Sequence, residues 1–422
     1  MQDIFLGQDG TFIFESTKKE FELVQGLDTR FKNKDINSEV YDFVGLVCKK
    51  DKTLVVFPKH YYSNNLLKEN EKDNNSSEQD VHLLFDVIQK YIFNRKSTAT
   101  KFAGEKLDFE SDYPFASFFS VYNYFKQFGI YNERITKTKV GYKGKISWKD
   151  TIRKSHKIYS NGNLIHLPLY IKENKSKQVF ISDCMAFVID YTLERFPFLF
   201  QLAKTNHKKT TFDFLENIDF VIRKLQEYKN QVFKDINKRL ISDLINYFTE
   251  IEGHKKGGDI HVKIKYFNLV WEEMIGHYLN NHFSHIDNDN NLYFETENIN
   301  SKVRFSKKTF QVDKSINNFT IEPDHYFIDD DLQYIFDAKY YDVLDHLNYK
   351  QYSYHEMLKS NKDENKTISA LIIPSDNENT SEIHFSLADS YVKEGTSSTT
   401  IISQKLKTKD VMISYLNSNL NL

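Results

Sequence analysis

Apolar positions change period along this chain, and the changes predict its elements. "FVGLV" (43–47) and "LVVF" (54–57) are unbroken apolar runs on either side of Lys49-Lys50-Asp51-Lys52, which predicts a β-hairpin. "LLKENEKDNNSSEQD" (66–80) is polar and predicts an exposed loop. Leu84, Val87, Ile88, Tyr91 and Ile92 then recur at helical spacing. "YPFASFFSVYNYFKQFG" (113–129) predicts a helix with Pro114 in its first turn and Gly129 at its end, its aromatics read as core. A glycine-punctuated strand pair and a short helix are expected over 134–157. A further helix is expected over 181–204, and from Phe212 to about Glu252 two long helices or one bent one. The last third alternates: a helix at "NLVWEEMIGHYL" (268–279), a hairpin at "IEPDHYFIDDDLQYIFDAKYY" (321–341), a helix at "YKQYSYHEML" (349–358), strands at 368–375 and 383–390, then a tail.

This order predicts an α+β multidomain protein. Residues 1–100 are expected to form a strand-rich N-terminal domain, 101–256 a largely helical basic middle region, and 257–422 a C-terminal domain with a mixed sheet flanked by helices. Composition narrows the class. At 422 residues the chain is too long for one core, and 40% hydrophobic with 15% aromatic residues is enough to bury several. The net charge of -2 gives no global argument for a nucleic-acid partner, so any basic surface must be local. Two cysteines, Cys48 and Cys184, make neither a disulfide framework nor a zinc site. No leader segment or membrane-length apolar run is read, so a cytoplasmic protein with no membrane partner is expected.

The hairpin at 321–341 carries charge where a buried strand prefers valine. With a period of two, Asp337 and Lys339 share one face and Phe336 and Ala338 the other. Asp324, on the neighbouring strand, can come within a few ångströms of Asp337. Two carboxylates so close raise one another's pKa unless a cation lies between them. Oxygen ligands with open positions suit magnesium, with manganese as the alternative. A lysine beside that metal can orient a water and offset charge on a phosphorane. A solvated edge hairpin would satisfy the spacing alone. The apolar strand before Asp337, the Glu-bearing helix before it and the Gln-bearing helix after it argue against that.

Pro323-Asp324 followed by Asp337-Ala338-Lys339 resembles the PD-(D/E)XK nuclease motif. The resemblance implies that the C-terminal domain, 257–422, is the nuclease core, that Asp324, Asp337 and the carbonyl of Ala338 bind the metal, that Lys339 assists the attacking water, that an upstream acid joins them, and that Gln351 on the following helix belongs to the site. "VWEEM" offers Glu272 or Glu273 as the upstream acid, and the family pattern favours Glu272. With "GYKGKISWKDTI" and the N-terminal "FVGLV…LVVFPKHYY", most of the chain is similar to the LlaJI-type restriction endonucleases, relatives of McrC. That implies a magnesium-dependent endonuclease acting on double-stranded DNA, with a separate McrB-like AAA+ NTPase as partner and the N-terminal domain as its interface. A catalytically silent DNA-binding scaffold and a TnsA-like transposase nuclease are the alternatives.

The closest approach to a Walker A loop, "GYKGKIS" (141–147), has the wrong spacing and Ile146 where Ser or Thr is needed, so no nucleotide is expected on this chain. Residues 134–157 hold nine Lys or Arg against one acid, Asp150, which makes this the candidate basic surface. Lys143, Lys145, Trp148, Lys149, Arg153 and Lys154 are the expected DNA contacts. "HKKGGDIHVKIKYF" (254–267) is also basic and is expected to flank the same channel. His282 and His285 lack a third ligand and are read as loop histidines rather than a zinc site.

Overall fold

The unbroken apolar runs near the start become inner strands of a sheet. In the computed structural model, residues 3–32, 38–49, 52–63, 74–99, 109–111, 113–177, 179–197, 199–200, 202–208, 210–252, 260–296, 303–313, 319–329, 332–359, 366–392 and 398–417 are described. The first part gives strands β1 (Asp3–Gln8), β2 (Val44–Lys49) and β3 (Lys52–Phe57), helix α1 (Asn74–Ala99) and strand β4 (Phe109–Ser111). The middle gives α2 (Phe115–Phe128), β5 (Glu133–Val140), β6 (Lys145–Ile146), α3 (Trp148–Lys154), β7 (His156–Ser160), β8 (Asn163–Leu167), β9 (Tyr170–Lys177), α4 (Phe180–Arg195), α5 (Ile218–Gln231) and α6 (Asp235–Ile251). The last part gives β10 (Ile260–Ile264), α7 (Phe267–His282), β11 (His325–Asp329), β12 (Leu332–Ala338), α8 (Tyr349–Lys359), β13 (Lys366–Ser375), β14 (Thr380–Ser386), β15 (Thr400–Lys407) and α9 (Thr408–Asn417).

The chain is α+β and divides into two units: Met1–Tyr113 together with Gly257–Leu422, and Pro114–Lys256. The expected boundary near residue 100 therefore gives way to a different grouping. One sheet of the first unit has the order β1-β3-β2-β10-β4. β10 lies between β2 and β4, antiparallel to both, so a strand from beyond residue 257 completes the sheet begun at residue 3. Gly45 allows the close approach: its φ is 144°, and a Cβ there would lie 2.0 Å from the carbonyl oxygen of Val262. Lys263 is buried and reaches Asp28 at 2.6 Å. Of the basic stretch 254–267, residues 254–259 lie outside the described residues, and residues 260–264 form this inner strand. The helix α1 begins at Asn74, so the second half of the polar run read as a loop is helical.

The second sheet of this unit has the order β11-β12-β13-β15-β14. The β11–β12 hairpin is antiparallel, β12 and β13 are parallel, β13 and β15 are parallel, and β14 closes the edge antiparallel to β15. The helix α8 forms the crossover from β12 to β13. Side chains alternate across β12: Ile335 packs with Tyr326 and Tyr354 of α8, while Tyr334 and Phe336 pack against Phe283 and Phe305. The C-terminal tail is not a tail. Thr400–Lys407 is an inner strand and α9 packs on α7 and α1. "TIISQKLK" mixes polar residues into its apolar run, which hid a strand whose buried polar groups, Ser403 and Gln404, are accommodated in the sheet.

In the second unit, α2, α4 and α6 pack together and α5 pairs with α6. Phe115, Phe118, Phe119 and Tyr122 are buried, and the first three pack with Phe200. Residues 133–177 are not helical as a whole. β9 is flanked by β5 and β6, and β7 and β8 form a separate hairpin. Alternation in "RITKTKV" and "YIKENKSK" with polar outer positions suits half-exposed strands. Among the described residues no helix is long and apolar enough to cross a membrane.

If β10 and α9 depend on residues 1–113 for their partners, a fragment of residues 257–422 is expected to unfold without cooperativity. Calorimetry of the fragment beside the full chain checks this, and a sharp melt from the fragment alone would contradict it.

Candidate active site

The register of the β11–β12 hairpin pairs His325 with Phe336, which carries Asp324 to the level of Asp337. The backbone N–H of Ala338 donates to Asp324 Oδ2 at 3.2 Å, and the two carboxyl groups share a hydrogen bond. Asp337 is fully buried. The Lys339 ammonium forms an ion pair with Asp337 Oδ2. On the far side, Lys350 of α8 lies 3.2 Å from Asp337 Oδ1 and 3.8 Å from Asp324 Oδ1.

Burial pushes the Asp324 carboxyl up to about 8, helped by the hydrogen bond to Asp337 and by the charges of Asp337 and Glu272. Burial works the same way on Asp337. There the hydrogen bond from Asp324 and the ammoniums of Lys339 and Lys350 prevail, and Asp337 stays below its ordinary range. The two carboxyls are thus driven in opposite directions, Asp324 up and Asp337 down, and titrate as a pair.

Glu272 and Glu273 sit on α7 and point to different places. Lys307 reaches Glu272 at 3.0 Å and Glu322 at 3.6 Å. Glu273 instead accepts from Asn94 Nδ2 at 2.9 Å and from the Tyr415 hydroxyl at 2.5 Å, on the side of α1 and α9. The geometry thus puts Glu272 on the Asp324 side and Glu273 in a structural seam. Gln351 does not touch the carboxylates. It is fully buried and donates from Nε2 to the carbonyl of Ile335 at 2.6 Å, bracing the strand that carries Asp337.

Three charged groups at this cluster were not singled out from sequence: Glu322, Lys307 and Lys350. Lys350 had a visible signal. It precedes Gln351 and stands one helical turn before Tyr354, over whose ring its ammonium lies at 5.3 Å. Lys307 lies in an irregular stretch far from the motif, and no local pattern marks it.

His325 is buried beside Gly276, and burial lowers it to about 4, so it is neutral. His282 closes α7 rather than sitting in a loop, bonding the carbonyl of Glu295 and Ser414 Oγ through its two ring nitrogens. Among the described residues no group of three or more His, Cys, Asp or Glu gathers as a metal cage.

The end of β12 is also held from the N-terminal part. The Tyr340 hydroxyl accepts the Lys59 N–H at 2.8 Å and hydrogen-bonds to Asp9, while His60 Nε2 bonds the Asp342 carbonyl at 3.1 Å. Burial raises Asp9 to about 7.

The expected basic residues lie in the other unit. Lys143, Lys145, Lys149, Arg153 and Lys154 are exposed, as is Trp148 at 58%. Asp150 pairs with Lys154 at 3.2 Å and Arg153 at 3.8 Å, tempering part of the charge on α3.

A restriction-endonuclease family is indicated by comparison with known proteins: the model of the LlaJI restriction endonuclease matches residues 43–395. The chain belongs to the LlaJI restriction endonuclease family. A solved half-complex from the tetradecameric assembly of Thermococcus gammatolerans McrB AAA+ hexamers with bound McrC is similar over 98% of this chain and 99% of that chain. The identity is 12% and the TM-score 0.39. A comparison with curated proteins gives no match.

Two outcomes are expected. A carboxyl raised from 3.8 to about 8 makes the folded protein bind more protons than the unfolded chain between those values, so its contribution to stability falls as pH rises through that window. Asp324→Asn removes this share, and thermal melts from pH 4 to 8.5 are expected to slope less steeply; an unchanged slope would contradict the upward shift of Asp324. Separately, Glu273→Gln is expected to cost about 1–3 kcal/mol by weakening two charge-assisted hydrogen bonds. Glu272→Gln, whose partner Lys307 is half exposed, should cost under about 1 kcal/mol in urea titrations.

Proposed function

We propose that this chain is the nuclease subunit of a restriction system, a magnesium-dependent endonuclease of the PD-(D/E)XK type that hydrolyses phosphodiester bonds in double-stranded DNA. The observation that carries this reading is the buried Asp324–Asp337 pair with Lys339 beside it. Four carboxylates (Glu272, Glu322, Asp324, Asp337) meet three ammoniums (Lys307, Lys339, Lys350), so ionising Asp324 leaves one negative charge in surplus. A divalent cation suits that surplus. Two carboxylates are the number magnesium takes when waters and phosphate oxygens fill its other positions.

Asp324, Asp337 and the Ala338 carbonyl would hold the metal, with manganese as a substitute. When bound, it would supply Lewis acidity at the phosphate and charge neutralisation. The protein's own groups do the rest. Lys339 orients the attacking water and offsets charge developing on the phosphoryl oxygens. Glu272 adds negative potential beside Asp324, and Gln351 fixes the backbone of β12. Lys143, Lys145, Trp148, Lys149, Arg153 and Lys154, exposed on the second unit, are the proposed phosphate-contacting surface. The motor is proposed to be a separate McrB-like AAA+ NTPase, because the closest approach to a nucleotide loop, at 141–147, lacks its spacing and its hydroxyl residue.

With that partner, NTP and magnesium supplied, Asp337→Ala is expected to slow duplex cleavage at least about 100-fold while folding is retained. Equal cleavage by wild type and variant would refute the assignment and favour a DNA-binding scaffold.

A further inference from the structure

Lys350 stands where the carboxylate pair meets open space. Its ammonium reaches one oxygen of each acid, Asp337 Oδ1 at 3.2 Å and Asp324 Oδ1 at 3.8 Å, so it bridges the two. Lys339 engages the other oxygen of Asp337 and is 13% exposed, whereas the Lys350 side chain is 46% exposed. The two lysines therefore differ in freedom. Lys339 is locked at the end of β12, where its backbone N–H donates to the Ile372 carbonyl at 2.8 Å. Lys350 hangs from the first turn of α8 on a flexible stem, while its neighbour Gln351 anchors the helix to β12. A lysine head is a compact point charge with three donors, able to release one set of acceptors and take up another by rotamer change alone. Lys307 is different again, because it pairs with Glu272 and Glu322 and not with Asp337.

We propose that Lys350 is a built-in stand-in for the divalent cation: its ammonium bridges Asp324 and Asp337 in the metal-free enzyme, yields that place when metal binds, and then contacts the phosphate backbone of the DNA. The inference rests on the metal-nuclease reading above and deepens it. It gives Lys350 two successive partners of the same chemistry, carboxylate oxygens and then phosphate oxygens. It also gives the protein a reason to hold the acid pair together before metal arrives. A competing cation weakens metal binding, so the resting site is kept from loading until substrate offers the lysine another anion.

The test compares full-length wild type with Lys350→Met, which keeps length and removes charge. Manganese binding without DNA, followed by calorimetry, is expected to tighten about tenfold or more in the variant. Duplex affinity in calcium, which holds DNA without supporting cleavage, is expected to fall, with the slope of log affinity against log salt reduced by about one. Lys350→Arg is expected to recover most of the salt slope. If Lys350→Met fails to fold, Lys350→Gln makes the same comparison. Equal or weaker manganese binding in the neutral variant overturns the inference while leaving the nuclease reading in place. Absence of manganese binding in every form overturns both.

Discussion

Asp337 has no exposed surface, and a carboxylate in that position costs on the order of several kcal/mol unless positive charge or a proton lies beside it. Much of the surrounding structure answers that constraint. Lys339 follows on the same strand, Lys350 comes from the crossover helix, and Asp324 on the hairpin partner hydrogen-bonds to Asp337. The helix that delivers Lys350 is itself fixed by Gln351, whose amide is spent on the backbone of the strand that carries Asp337. An apolar residue at 337 would make all of these devices unnecessary. Together they hold charge in a position where a packed apolar side chain would cost less.

The strand that carries this charge is not secured by the last third of the chain alone. Directly after Lys339, Tyr340 is hydrogen-bonded to Asp9 and to the Lys59 backbone, more than 280 residues earlier in the chain. Lys59 also lies 3.6 Å from Asp342 and 5.1 Å from the Tyr340 ring centroid. Whatever displaces the turn after β1 or the loop after β3 therefore pulls on the residue next to Lys339. The first hundred residues act as a buttress for the site.

Legibility from sequence followed how local the signal was. The hairpin at 321–341 was readable because alternation and the PD…DAK spacing are short-range, and the register then brings Asp324 to Asp337. The choice between Glu272 and Glu273 was not, because adjacent helix positions differ by about 100° in direction, and only the surroundings tell which side faces the acids. β10 was not legible because "IHVKIKYF" carries lysines, and nothing local reveals that Lys263 is buried against Asp28, 235 residues away. β15 was missed for a related reason. Its buried Gln404 accepts from Ser381 on the antiparallel strand β14, 23 residues earlier, a partner that the run "TIISQKLK" alone does not reveal.

The pairing of β10 with β4 has a consequence for how the chain is built. Ser111 stands opposite Val262 and Phe109 opposite Ile264, so the backbone leaves the first unit and returns to it on adjacent, hydrogen-bonded strands. Everything from Pro114 to Lys256 hangs from those two neighbouring points. Such a segment is a cassette: another module spliced between the same two strands would meet the same pair of ends, and the ladder that closes beneath it would not need to change.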